Sequence, residues 1–197
     1  MRIRLFGTQI YISFLFVAVI ALMLATDKTG LALPTLFAVV IHEIGHLFCM
    51  WLKESTPKSI RLIPASVQIT RSVTHRYNND IAVALSGPAV NLILFGVLYI
   101  NYTAFKNQTV LYYALINLIV GCFNLLPVIG LDGGTALFSI IAQKKDVNRA
   151  MLTLKIITLS VGTAILLLAV SLTLRGNINI SVYIISIYLI LSVLIKI

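Results

Sequence analysis

Charged residues are scarce in this sequence of 197 residues. They make up 11% of the chain, whereas soluble globular domains carry about 25%. A soluble protein of this size needs charged side chains on its surface, so the shortage argues against soluble enzymes and disordered regulators. Cysteine is scarce too, since Cys49 and Cys122 are the only two. Neither belongs to a ligand-spacing motif, so a disulfide scaffold is excluded and both are interpreted as packing residues.

Hydrophobic residues, in contrast, make up 59% of the chain and concentrate in six long windows with at most one charge each. A helix needs about 20 apolar residues to cross about 30 Å of hydrocarbon, and backbone polar groups in lipid must be satisfied within the segment. The sequence therefore predicts an all-α polytopic membrane protein with six transmembrane helices in a single domain. The predicted spans are 8–26, 31–52, 81–104, 109–128, 151–174 and 178–196.

The basic residues predict the orientation of these spans. With a cytoplasmic N-terminus, twelve of the 15 lysines and arginines fall on the inner face, as the positive-inside rule requires. Both termini are then cytoplasmic, and we expect a bacterial cell membrane. The first span is expected to stay uncleaved, because Met23 fits the signal-peptide cleavage pattern poorly. The net charge of +9 reflects this topology, so the lipid bilayer is an expected partner and nucleic acid is not.

Two segments outside the spans are expected to face the cytoplasm. Residues 59–63 and 66–70 partly alternate apolar and polar side chains around Pro64-Ala65, which predicts a small β-hairpin between the second and third spans. The second segment, residues 129–150, follows the fourth span and contains glycines at positions 130, 133 and 134.

The second predicted span contains His42-Glu43-Ile44-Gly45-His46, the H-E-x-x-H pattern. Residues four apart lie on one helix face, about 5–6 Å from each other, so His42 and His46 can bind one Zn²⁺ ion. Glu43 adjoins the first histidine, where a carboxylate can act as the general base. The alternative is a buried His–Glu cluster that only pins helices together. Ionisable residues within spans are costly and usually functional, which favours the metal site.

Catalytic zinc usually takes three protein ligands and keeps one position open, so a third ligand is expected elsewhere. Asp132 is the candidate, because it follows the fourth span and because Pro127 and several glycines interrupt the helix before it. Irregular backbone at membrane depth is tolerated where it is buried in protein or lines a water-filled cavity. The predicted topology places His46 and Asp132 toward the same, cytoplasmic side. The alternative is an ordinary helix end with an aspartate in the following loop.

Three motifs, each on its own predicted span, together resemble the signatures of site-2 proteases, which are intramembrane zinc metalloproteases. The motifs are His42-Glu43-x-x-His46, Ser86-Gly87-Pro88-Ala89-Val90-Asn91 and Asn124-x-x-Pro127-x-x-x-Leu131-Asp132-Gly133. The resemblance covers about residues 1–150 and is strongest to the sporulation-type bacterial branch, that of stage IV sporulation protein FB. The CBS domain of that branch and the PDZ domain of other branches are not expected here.

The resemblance implies that one Zn²⁺ ion is held by His42, His46 and Asp132, with Glu43 as the catalytic glutamate. It also implies that Asn124 and Asn91 bind the substrate or support the oxyanion. The implied activity is that of a metalloendopeptidase, which cleaves a transmembrane or membrane-proximal segment near the cytoplasmic face. The substrate would be a membrane-anchored protein, such as a pro-sigma factor or another regulator, and regulatory membrane proteins are further candidate partners.

Two other functions are compatible with these motifs. An intramembrane metal transporter can carry a His-x-x-x-His pair, but it should show polar ligands along a path across the membrane, whereas these cluster at one depth. A catalytically inactive binding protein should lack the glutamate or a ligand, and all four positions are intact. His75, the remaining histidine, is interpreted as a solvated loop residue.

Overall fold

The computed structural model describes residues 2–5, 8–53, 57–63, 66–71, 77–176 and 179–195. Within these ranges the chain forms four strands and seven helices. In chain order they are β1 (Arg2–Leu5), β2 (Thr8–Ile12), α1 (Phe14–Thr26), α2 (Ala32–Leu52), β3 (Pro57–Ile63), β4 (Ser66–Arg71), α3 (Tyr77–Phe105), α4 (Gln108–Asn124), α5 (Asp132–Lys144), α6 (Val147–Leu174) and α7 (Ile180–Ile195).

The predicted fold class is wrong in its count of spans. Among the described residues, three helices are long and apolar enough to cross a membrane, namely α2, α3 and α6, while α4 is a shorter apolar helix. The apolar run at 8–26 begins with strand β2, and the run at 109–128 leaves the helix at Asn124. Pro127 lacks a backbone N–H and disfavours helical geometry in the residue before it. The helix α4 therefore ends before the apolar run does.

The strands also differ from the prediction, because the described residues form a sheet of four strands where a two-stranded hairpin was predicted. β3 pairs antiparallel with β4, and it also pairs in parallel with β2, where Ile10 lies opposite Ile60. β2 in turn pairs antiparallel with β1, which makes a four-stranded sheet of order β1-β2-β3-β4. The protein is therefore not all-α. A lone two-stranded hairpin is marginally stable, and the N-terminal strands β1 and β2 provide the additional pairing.

The chain divides into two compact units, residues 1–75 with 86–121 and residues 76–85 with 122–197. In the first unit, α2 and α3 pack closely at Gly45. A Cβ atom added to Gly45 would lie 2.9 Å from the Ser86 carbonyl oxygen and 3.2 Å from the Cα atom of Gly87. Small residues allow such close approach of helix backbones in membrane proteins, so glycine at position 45 brings the histidine-bearing helix against α3.

The turn between α1 and α2 is organised by Asp27. Its carboxylate accepts hydrogen bonds from the Thr29 hydroxyl at 2.7 Å, the Thr29 backbone N–H at 2.8 Å and the Ala32 N–H at 2.9 Å. These bonds, that of the Thr29 hydroxyl foremost, hold the pKa of Asp27 below its ordinary value. Because the first N–H groups of a helix have no partner within it, the bond to Ala32 stabilises the start of α2.

In the second unit, α6 packs against α7 and also holds the loop that precedes α5. A Cβ atom added to Gly162 on α6 would lie 3.0 Å from Ile190 Cγ1 on α7. The backbone N–H of Ile129 donates a hydrogen bond of 2.9 Å to the hydroxyl of Thr158 on α6. The loop that leads to Asp132 is therefore anchored to a buried side chain of its own unit.

Large apolar side chains cover the outside of the long helices. Phe37 on α2 is 59% exposed, Ile93 on α3 is 67% exposed and Leu167 on α6 is 70% exposed. In water such a surface would favour association, whereas lipid tails are as apolar as these side chains. The exposed apolar faces therefore suit helices that contact a bilayer.

Candidate metal centre

Two buried histidines lie at the centre of the candidate site. His42 and His46 are 4% and 7% exposed and lie one turn apart on α2. Their Nε2 atoms are 3.1 Å apart, and their rings meet edge to face with an interplanar angle of 85°. Both Nε2 atoms thus point to a common position, as expected for residues four apart on a helix.

Asn91 on α3 holds the first of these rings from the opposite side. Its Oδ1 atom lies 2.7 Å from His42 Nδ1, and the whole Asn91 residue is 0% exposed. Its Nδ2 atom donates hydrogen bonds of 3.0 Å to the Ala38 carbonyl oxygen and to Asn117 Oδ1. Asn91 therefore contacts His42 from within the protein, rather than presenting its amide to an open space.

Gly87 provides the space in which the two rings meet. A Cβ atom at this position would lie 2.5 Å from His46 Nε2 and 2.8 Å from His42 Nε2, distances that real Cβ atoms essentially never show. Any side chain on residue 87 would consequently displace the imidazoles. Glycine at this point of α3 therefore leaves room beside both Nε2 atoms.

The third predicted ligand, Asp132, belongs to the second unit, where it is the first residue of α5 and is half-buried. Glu43 follows His42 on α2 and is half-buried, in keeping with a group that must reach both the site and water.

The loop before Asp132 is compact and depends on glycine. Gly130 has a φ of +94°, a backbone conformation that glycine adopts without the steric cost of a side chain. Cβ atoms added to Gly133 and Gly134 would overlap the carbonyl oxygens of Leu125 and Val128. The glycines therefore let the chain fold back against the first turn of α5, where Asp132 is the first helical residue. A carboxylate at that position is stabilised by the positive end of the helix dipole.

The donor set and spacing suit a catalytic zinc ion. Tetrahedral zinc with Zn–N bonds of about 2.0–2.1 Å requires ligand nitrogens about 3.4 Å apart, close to the 3.1 Å between the two Nε2 atoms. Two imidazoles and one carboxylate are a recurring set for catalytic zinc, which leaves a fourth position for water or substrate. The residues present therefore fit the metal that the motifs predict.

Asn124 and the two cysteines lie on α4 and α2. Asn124 is the last residue of α4, immediately before the loop that leads to Asp132, and it is partly exposed. His75 lies outside the described residues. Cys49 is half-buried on α2, and Cys122 is exposed on α4.

Comparison with known proteins supports this interpretation of the site. Residues 103–169 match the family model of peptidase family M50, a range that includes Asn124 and Asp132. A protein named as a candidate zinc metalloprotease from Synechocystis is 35% identical over 118 residues, which are 57% of this chain and 31% of that protein. A zinc metalloprotease from Methanocaldococcus jannaschii is 28% identical over 147 residues, which are 69% of this chain and 43% of that protein.

The fold agrees as well. The solved site-2 protease from Methanocaldococcus jannaschii superposes with a TM-score of 0.70 over 98% of this chain and 93% of that one, at 23% sequence identity. The fold therefore agrees with the predicted resemblance to site-2 proteases, while the sporulation-type branch is not shown. At this identity the superposition establishes the fold alone. This chain spans less than half the length of the two sequence relatives.

Sequence reasoning missed two residues that pack around the candidate ligands, Asn117 and Gly87. Asn117 had a usable signal, because it is a polar residue in the middle of an apolar helix, and such residues commonly bridge membrane helices. Gly87 was quoted as part of a motif, but its contact with both histidines follows only from the packing of α3 against α2. A search restricted to ionisable residues overlooks both.

Proposed function

We propose that this protein is a zinc-dependent intramembrane metalloendopeptidase. The observation that carries the proposal is the pair of buried Nε2 atoms of His42 and His46, 3.1 Å apart on an apolar helix, with Glu43 next to them in the sequence. The match to peptidase family M50 and the names of the two sequence relatives support the same activity.

In this proposal, His42, His46 and Asp132 hold one Zn²⁺ ion. The chemistry that zinc supplies when bound is the acidification of a water molecule and the polarisation of a carbonyl group. Glu43 accepts a proton from the attacking water and later delivers it to the leaving amine nitrogen. Asn124 supplies an amide that orients the substrate backbone or donates to the oxyanion.

The proposed substrate is a transmembrane or membrane-proximal segment of a membrane-anchored protein. A helix uses its own carbonyl groups in hydrogen bonds, so the segment must unwind before cleavage. An extended segment could then add to an edge strand of the sheet. In the strand order β1-β2-β3-β4, β3 is an interior strand, so we assign this pairing to the outer edge of β4.

The proposed location is the cell membrane, with both termini and the reaction on the cytoplasmic side. The distribution of lysine and arginine supports this orientation, and the exposed apolar faces of α2, α3 and α6 support the bilayer as the surroundings. A pro-sigma factor or another anchored regulator of a bacterium is the proposed class of substrate.

The decisive experiment compares wild type with Glu43→Gln. Membrane proteomes of cells that carry either form should reveal a precursor that accumulates only in the variant. Purified Glu43→Gln should retain zinc but lose cleavage of that precursor, with a rate at least 100-fold lower, because a general base contributes about 10²–10⁴-fold. Cleavage by the variant at the wild-type rate would refute the role of Glu43.

The same preparations separate the protease from a metal transporter. Zinc flux into proteoliposomes that is unchanged by Glu43→Gln, without cleavage of any accumulating precursor, would replace the proposed function by transport. A protease should show no flux above empty vesicles.

A further inference from the structure

We propose that Asn91 and Asn117 are positioning residues that set the tautomer and orientation of His42, so that its Nε2 atom is unprotonated and faces the metal position. The proposal rests on the proposed metal centre but concerns a property of the metal-free protein. It replaces a substrate-binding role for Asn91 and assigns a role to Asn117.

The direction of the Asn91 amide is fixed by its hydrogen-bond partners. Two acceptor oxygens, the backbone carbonyl of Ala38 and Oδ1 of Asn117, lie 3.0 Å from one end of this amide. Only the NH₂ end can donate to them, because a carbonyl oxygen has no proton to give. The Oδ1 end of Asn91 must then be the atom 2.7 Å from His42 Nδ1. An amide flipped by 180° would place oxygen against two oxygens.

The direction of the Asn117 side-chain amide is set by the backbone of α4. Its Nδ2 atom donates a hydrogen bond of 2.9 Å to the Tyr113 carbonyl oxygen, one turn earlier on the same helix. Its Oδ1 atom therefore faces Asn91. The chain of hydrogen bonds is fixed by two main-chain carbonyl groups, those of Tyr113 and Ala38. Because a carbonyl oxygen can only accept, the donor and acceptor of each bond in the chain cannot be exchanged.

The direction of the Asn91 amide determines which ring nitrogen of His42 carries the proton. An amide oxygen only accepts hydrogen bonds, so Nδ1 of His42 must be the nitrogen that carries the proton. In a neutral imidazole Nε2 then presents a lone pair, and this is the atom 3.1 Å from His46 Nε2. Outer partners of this kind fix ring orientation and ligand basicity at metal sites, and losing one typically weakens metal binding 10–100-fold.

Burial explains why the hydrogen bonds from Asn117 through Asn91 should control the tautomer of His42. Asn91 is 0% exposed and Asn117 is 5% exposed, so their hydrogen bonds are largely shielded from bulk water. In the described residues no buried side-chain nitrogen or oxygen lacks a hydrogen-bond partner. Removing the Asn117 oxygen would leave a buried donor unpaired, which is costly, and the Ala38 carbonyl would be the one remaining acceptor that holds the direction of the Asn91 amide.

The design of the variants follows from a cavity of about 420 Å³ that Asn117 helps to line. Asn117→Ala could admit a water molecule in place of the lost oxygen. Asn117→Leu keeps the volume filled with apolar atoms and is the sharper test. Asn117→Asp is the matched conservative variant, because a carboxyl group, ionised or protonated, keeps an acceptor oxygen for the NH₂ group of Asn91.

The measurement is the ¹⁵N spectrum of histidine-labelled, metal-free protein under alkaline conditions, in which imidazole is ordinarily neutral. The chain has 3 histidines, so His42 can be assigned by the signal lost in His42→Ala. We expect wild type and Asn117→Asp to show the Nδ1–H tautomer. Asn91→Leu and Asn117→Leu should shift His42 toward a mixture. Thr35→Val, which removes a side-chain bond to Leu31 elsewhere on α2, should leave the spectrum unchanged.

Zinc affinity, measured by competition with a chelator, is the second readout. We expect a 10–100-fold loss for the two leucine variants and less than a twofold change for Asn117→Asp and Thr35→Val. Wild-type tautomer and affinity in both leucine variants would overturn the proposal, and so would a change in Asn91→Leu alone. If Asn91→Leu does not fold, the two Asn117 variants decide. Absence of peptide cleavage by a zinc-loaded wild type would refute the proposed function without affecting this result.

Discussion

Replacing Gly87 by alanine tests the geometry of the metal site with a single methyl group. The added Cβ atom would lie 2.5 Å from His46 Nε2, whereas ordinary contact begins at about 3.4 Å. The His46 ring, α3 or both must therefore move by about 0.9 Å. Metal–ligand distances tolerate only about 0.2 Å, so zinc and the methyl group cannot both be accommodated without strain.

The expected magnitude follows from the cost of overpacking. Inserting a methyl group into a well-packed site typically costs about 1–3 kcal/mol, which corresponds to about a 5- to 150-fold loss of zinc affinity. Gly96→Ala is the matched control, because Gly96 lies on the same helix and a Cβ atom there meets nothing within 4 Å. Both variants gain the same helix propensity, about 0.5–1 kcal/mol, so their difference isolates the contact with the histidines.

The assay is zinc content after dialysis against a graded series of chelator concentrations, together with the thermal unfolding of the metal-free forms. Gly96→Ala should bind zinc as the wild type does. If Gly87→Ala also binds zinc with wild-type stoichiometry and affinity, then Gly87 does not line the metal position, and the proposed use of both Nε2 atoms as ligands is incorrect.

Two further predictions concern Asp132 and the sheet. Asp132→Asn should lower the zinc content measured by elemental analysis, because a neutral amide is a weaker zinc ligand than a carboxylate; unchanged content would remove Asp132 from the ligand set. Replacing residues 66–71 of β4 by a Gly-Ser linker of equal length should abolish substrate cleavage but spare zinc binding, because the metal ligands lie outside the sheet. Retained cleavage in a membrane assay would show that the β4 edge does not bind the substrate.

The candidate site could be read largely from the sequence, for physical reasons that are local. Residues four apart on a helix share a face, so His42 and His46 can be paired without knowledge of the fold. A glutamate in an apolar run is costly, which distinguishes Glu43 from acids at the ends of spans. Asp132 could be selected because the proline and glycines before it break the helix next to an apolar run.

The strands and the number of spans could not be read in the same way. Apolar composition does not distinguish a membrane helix from a strand followed by a shorter helix, so β2 and α1 were combined into one predicted span. Pairing between β2 and β3 joins residues about 50 positions apart, and no local pattern reports such a contact.

The sequence by itself determined which residues can do chemistry, because helix periodicity and the cost of burying charge are properties of short segments. The tertiary structure alone decided which neutral residues lie around the candidate ligands. Gly87 and Asn117 act through contacts between helices, at distances set by how α3 packs in its unit. The absence of a Cβ atom at Gly87 and the direction of the Asn91 amide have consequences only because a neighbouring helix packs against each of them.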